Sequence, residues 1–144
     1  MRDSGRREAD LGRFVEAHER SYRTALEEIR SGHKRSHWMW YIFPQIAGLG
    51  LSSTSRFYAI TDLEEARAYI QHPLLGAHMI EICEALLRLS ANNAEDVMGY
   101  PDDLKLRSSM TLFAKAVPGA KIFQQVLDKY FDGKMDQKTL ERLD

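Results

Sequence analysis

The sequence predicts an all-α fold, a compact single-domain bundle of about six to eight helices with one aromatic-rich irregular segment. Three observations lead there. Leu and Ala supply 30 of the 144 residues against 9 from Val and Thr, and straight-chain side chains lose less rotamer freedom in a helix than β-branched ones. Apolar residues recur at steps of three and four along most of the chain. Residues that cap or stop helices stand at the ends of those stripes.

Leu11, Phe14, Val15, His18, Tyr22, Ala25, Leu26 and Ile29 form the first stripe, with Asp10 placed to cap its start and Gly32 to end it. Asp62 and Glu65 have capping-box spacing ahead of Ala66, Tyr69 and Ile70. Pro73 stops that stripe and suits the first turn of the next helix. Its stripe, Leu75, Met79, Ile82, Cys83, Leu86 and Leu89, is long enough to cross the domain. Asn92 with Glu95 repeats the capping pattern for a short helix closed by Gly99. Asp102 or Asp103 can cap a helix through Leu104, Ser108, Thr111 and Leu112 that stops at Pro118-Gly119. Ile122, Phe123, Val126, Leu127, Tyr130 and Phe131 make a further one closed by Gly133, and Asp136 can cap a last one through Leu140 and Leu143. With no repeat or linker, residues 9–144 are expected to be a single helical domain, and residues 1–8, with three Arg and no apolar residue after Met1, a frayed tail.

Composition excludes several classes. The 20 basic and 21 acidic residues give a net charge of −1, which argues against nucleic acid or an anionic membrane as partner. The longest apolar run, residues 38–43, is far short of the roughly 20 residues of a bilayer span. Residues 1–10 lack the apolar region of a signal peptide. One cysteine, Cys83, allows no internal disulfide, so a cytoplasmic protein is expected. No cofactor motif appears, and metal binding has little support. His33 and His37 are four apart with no carboxylate or thiol between them, and His72 and His78 are six apart, off one helix face. Cys83 sits in an apolar stripe and reads as an inert core thiol. Gly-x-Ser-x-Gly does not occur, so a serine hydrolase has no local support.

The segment 33–60 breaks the helical pattern. Trp38, Trp40, Tyr41 and Phe43 crowd four of the 14 aromatics into six positions, followed by Pro44, Gln45 and a Gly48-Leu49-Gly50 turn. The cluster reads either as a buried plug closing the bundle or as a stacking pocket beside Arg30, His33, Lys34, Arg35 and His37. Gly48, Gly50, Ser52 and Ser55 form either a hydroxyl-capped helix start or an anion-binding turn, without the full glycine set of a dinucleotide or P-loop motif. Further on, Lys105 and Ser109, and Arg107 and Thr111, are one helical step apart. Ser108, Ser109 and Thr111 are poor mid-helix choices. They mark either close helix packing or a site.

SHWMWYIFPQIAGLGLSSTSRFYAI, EARAYIQHPLLG, PDDLKLRSSMTLFAKA and FDGKMDQKTLERLD resemble the bacterial and fungal domain-of-unknown-function family numbered 1810. The resemblance runs from Leu11 to Leu143 and implies a mainly helical fold, with no reaction and no catalytic residues to carry over. Some members bear the label calpastatin, but nothing in this sequence looks like a disordered protease-inhibitor repeat. The family's signature positions fall on His37, Trp38, Trp40, Phe43, Pro44, Gln45, Gly48, Gly50, Ser52, Ser55, Tyr58, Asp103, Lys105, Ser109 and Thr111.

Two functions fit these residues. The first is a small-molecule-binding domain, with catalysis open, that takes an anionic aromatic, nucleotide-like ligand. His37 is then the candidate general acid or base and Lys105 its electrostatic partner, with Trp38, Trp40, Gln45, Gly48, Gly50, Ser52, Ser55, Arg107, Ser109 and Thr111 as ligand contacts. The alternative is a noncatalytic interaction module that uses the aromatic segment as a groove for a partner.

Overall fold

The computed structural model describes the backbone of residues 2–143 and the side chains of residues 11–143. The tail expected at residues 1–8 lies outside the residues whose side chains are described. Nine helices are present among the described residues: α1 (Arg2–Arg30), α2 (Met39–Ile42), α3 (Ser53–Tyr58), α4 (Leu63–Gln71), α5 (Pro73–Arg88), α6 (Ala94–Met98), α7 (Asp102–Ala116), α8 (Ile122–Phe131) and α9 (Gln137–Leu143). Extended structure among these residues is limited to one parallel bridge between Ile46 and Ile60. It ties the middle of the segment 33–60 to its end, with Ala47 N–H donating to Ile60 O at 2.8 Å and Ile60 N–H to Gln45 O at 2.9 Å.

Most helix boundaries follow from the capping residues. Asp62 accepts from Glu65 N–H, Asn93 from Glu95 and Asp96 N–H, and Asp136 from Thr139 N–H at 3.0 Å, each satisfying donors a free helix start would leave orphaned. Three details differ from expectation. α1 begins at Arg2, so Asp10 lies within it rather than capping it; no proline precedes it, and the Arg, Glu and Ala around it favour helix. Asn93, not Asn92, caps α6. Pro101 occupies the position before α7 without a side-chain cap, leaving Asp102 and Asp103 in the first turn, where a carboxylate meets the positive end of the helix dipole. Additionally, His72 serves as a cap, its Nδ1 accepting from Leu74 N–H at 3.1 Å and Leu75 N–H at 3.3 Å.

α5 is the centre of the bundle, packing against α1, α4 and α8, while α7 packs against α4, α6, α8 and α9. Phe14, Trp38, Phe43, Tyr69, Phe113 and Phe123 are among the largest fully buried side chains. Gly76 lets α5 start against the end of α4. A methyl group there would stand 1.9 Å from the Ile70 carbonyl oxygen, so no larger residue fits without moving backbone.

Candidate functional site

The aromatic segment divides into a core and a rim. Trp38 is 1% exposed, and its indole N–H donates at 2.8 Å to Glu28 Oε1. The same carboxylate accepts from Arg35 N–H at 2.8 Å, Ser36 N–H at 3.0 Å and Ser36 Oγ at 2.5 Å. Burial works against the Glu28 charge, yet hydrogen bonds from Ser36, Arg35 and Trp38 outweigh it and hold the pKa at about 2. Lys34 lies 4.9 Å over the Trp38 ring and 2.8 Å from Asp102, which locks the segment to α7. Trp38 therefore has no face left for stacking a ligand. Trp40 is half-buried and shares a cavity of about 20 Å³ with Gln45, Gly50 and Ser55, room for roughly one water molecule.

The other expected site residues do not join that cavity. His37 is exposed. Gly48 accepts from Arg142 through its carbonyl, and Ser52 caps α3 by accepting from Ser55 N–H at 3.1 Å. Lys105 Nζ stands 3.5 Å from Asp102 in its own helix. The hydroxyl cluster of α7 holds the end of the chain: Arg107 donates to the Lys134 and Met135 carbonyls, Thr111 accepts from Asp136 N–H at 2.9 Å, and Ser108 donates to Asp136. Ser109 is wholly buried, its hydroxyl unpartnered among the described residues. The structure thus brings Trp40, Gln45, Gly50 and Ser55 together, while neither His37, Lys105 nor Arg107 lines their cavity.

A different group converges between α1 and α5. His18 and His78 face each other with their Nδ1 atoms 2.9 Å apart. The Tyr22 ring stacks on His78 with centroids 3.5 Å apart and 2° between planes, and its hydroxyl donates at 2.6 Å to Glu81 Oε1. Behind them, His18 Nε2 lies 2.9 Å from both the Tyr41 carbonyl oxygen and the Tyr69 hydroxyl, and that hydroxyl donates to the same carbonyl at 2.9 Å. The front opens into a cleft of about 500 Å³ lined by His18, Glu19, Tyr22, Arg23, Leu26, Glu27, Arg30, His78 and Glu81. Its volume lies within the range of small-molecule sites.

Burial dominates the electrostatics here. It lowers the His18 pKa to about 4, against the raising effect of the Tyr41 carbonyl, with the charges of His78 and His72 lowering it further. Burial also lowers His78, while Glu81 pulls the other way. The Tyr22 phenol is pushed well up by burial and by its bond to Glu81. Both imidazoles are consequently neutral at pH 7. Strongly shifted groups gathered in a cleft make it a candidate functional site. Sequence reading missed it because His18 lies in the apolar stripe of α1, and His78 is paired with a residue 60 positions away rather than with His72. The available signal was a histidine on an otherwise apolar helical face.

Among the described residues no group of three or more His, Cys, Asp or Glu side chains is arranged to hold a metal, and no helix is long and apolar enough to cross a membrane. Comparison with known proteins gives two matches. The family described as Protein of unknown function (DUF1810) matches residues 8–143. The crystal structure of the conserved hypothetical protein Rv1873 from Mycobacterium tuberculosis superposes with a TM-score of 0.91 at 47% identity, covering 93% of this chain and 96% of that one. No curated protein matches.

Proposed function

The chain belongs to the family DUF1810, whose description assigns no activity, and from the chemistry of the site we propose that the domain binds a small polar molecule carrying an anionic group in the cleft between α1 and α5. The observation that carries this reading is the His18–His78 pair, two neutral imidazoles joined at 2.9 Å with Tyr22 and Glu81 beside them at the cleft wall. Polar side chains held this closely in a concave site have fixed directions, which is what recognition of a small ligand requires. Arg23 and Arg30 on the same wall supply cations for an anionic group.

The aromatic part of the ligand expected from sequence has less support. Tyr22 is 7% exposed and already stacked on His78, and the space beside Trp40 is too small for a ring. The interaction-module reading keeps one observation in its favour: Leu51 is 79% and Phe57 58% exposed, both within the segment 33–60.

The test is nitrogen-edited NMR of the labelled protein during titration with small carboxylates, phosphates, amino acids and nucleotides. Binding in the cleft moves the amide resonances of residues 18–30 and 76–82, and the movement is lost in His78→Phe, which keeps the stack on Tyr22 and removes the ring nitrogens. Movement confined to residues 40–58 would transfer the site to the aromatic segment, and silence from every compound would favour the interaction module.

A further inference from the structure

We propose that the α1/α5 cleft recognises zwitterionic, amino-acid-like molecules, the ammonium group donating to His78 Nε2 and the carboxylate pairing with Arg23, with His18 as the positioning residue that holds His78 in its accepting tautomer. This rests on the small-molecule reading above and names the ligand class for the same cleft.

The tautomers follow from the partners. A carbonyl oxygen can only accept, so the 2.9 Å contact of His18 Nε2 with Tyr41 O places a proton on Nε2. Tyr69 sends its own proton to the same carbonyl, whose two lone pairs serve both donors. Neutral His18 then has a bare Nδ1, and the 2.9 Å contact across to His78 requires the proton between them to belong to His78 Nδ1. His78 is left with a bare Nε2, which has no hydrogen-bond partner among the described residues and belongs to a side chain lining the cleft. A ligand placed there must bring a donor. The whole chain from Tyr41 O to His78 Nε2 is set by one acceptor-only group behind the site, just as the hydrogen bond made by one ring nitrogen of a histidine decides which form the other takes.

The charge pattern selects the rest of the ligand. Glu19, Arg23, Glu27 and Arg30 alternate in sign along the α1 wall, and Glu81 joins them from α5. Three carboxylates against two guanidinium groups disfavour a dianion such as a phosphate monoester, whereas a molecule with both signs meets a complement for each. Arg30 is held 3.8 Å from Glu81, while Arg23 has no ion-pair or hydrogen-bond partner among the described residues, which leaves it for the carboxylate. The cleft volume of about 500 Å³ accommodates an amino acid with a sizeable side chain.

The experiment has two arms. Histidine nitrogen chemical shifts of the ligand-free wild-type protein report the tautomer directly. Protonation of His78 at Nδ1 is expected, and an Nε2-protonated His78 would overturn the proposal. His18→Gln keeps a donor for Tyr41 and an acceptor for His78 and should preserve that tautomer, while His18→Leu should release it. The second arm titrates norleucine, hexanoate and 1-aminopentane, which share a five-carbon alkyl skeleton and carry both charges, the carboxylate alone or the ammonium alone, together with glucose 6-phosphate as the phosphate probe. Norleucine should bind at least about tenfold more tightly than either, and Arg23→Met should remove the advantage over 1-aminopentane. Equal binding of the three overturns the zwitterion assignment and leaves the small-molecule reading in place. Binding only of glucose 6-phosphate moves the ligand class to phosphates, and no response from any compound defeats both.

Discussion

Glu28 shows how one buried residue can organise an irregular segment. Its carboxylate gathers four donors from Arg35, Ser36 and Trp38, and a charged acceptor makes each of these bonds stronger than a neutral one would be. Glu28→Ala leaves those donors without their acceptor, and its expected cost is about 3 kcal/mol, read as a lowered midpoint in urea unfolding. Cys83 is the opposite case. It is fully buried against the sulfur atoms of Met79 and Met110 at 3.9 and 3.8 Å, and burial raises its thiol pKa. Thiol reagents should leave it unmodified in the native protein and react once it is denatured; fast native labelling would show that the α5–α7 contact opens.

At the scale of elements, close approach and capping decide the packing. Gly76→Ala pushes a methyl into the Ile70 carbonyl, and because the obstacle is backbone, the expected loss is about 2–4 kcal/mol with the helices α4 and α5 displaced. α9 depends on Asp136, whose Oδ2 accepts from Thr139 N–H at 3.0 Å, Thr139 Oγ1 at 2.6 Å and Ser108 Oγ at 3.2 Å. Asp136→Ala should cost about 1–2 kcal/mol, the upper range of a lost cap, and should raise hydrogen exchange in α9 before any other helix. Uniform exchange across all helices would place the cap's contribution in global rather than local stability.

For the whole molecule, pH is the readout that separates the two buried networks. His18 has a folded pKa near 4 against an ordinary 6.5, so the unfolded chain takes up the proton first and stability falls as pH drops from 6.5 to 4. Glu28, at about 2 against an ordinary 4.5, contributes stability that is present above 4.5 and is lost as pH falls towards 2. Thermal unfolding should therefore decline in two overlapping steps, and His18→Gln should flatten the first while leaving the second. Lys105→Met is the contrasting change: Lys105 is a third exposed and, among the described residues, bound only to its helix neighbour Asp102 at 3.5 Å, so the melting temperature should remain within about 2 °C of wild type.

What the sequence determined by itself was the helical class and most of the helix ends, because these rest on local causes. Asp62, Pro73, Gly99 and Gly133 act on their own turns, and apolar spacing needs no distant partner. The candidate residues of the aromatic segment and of α7 were legible as out of place, yet their use was not. Ser108 and Thr111 look like a site until Asp136 arrives 25 or more positions later to satisfy them. The α1/α5 cleft was invisible for the same reason. His18 becomes a polar group of consequence only when the fold sets Tyr41, Tyr69 and His78 around it. A tautomer and a depressed pKa are properties of burial and of partners distant in sequence, and tertiary packing alone supplies both.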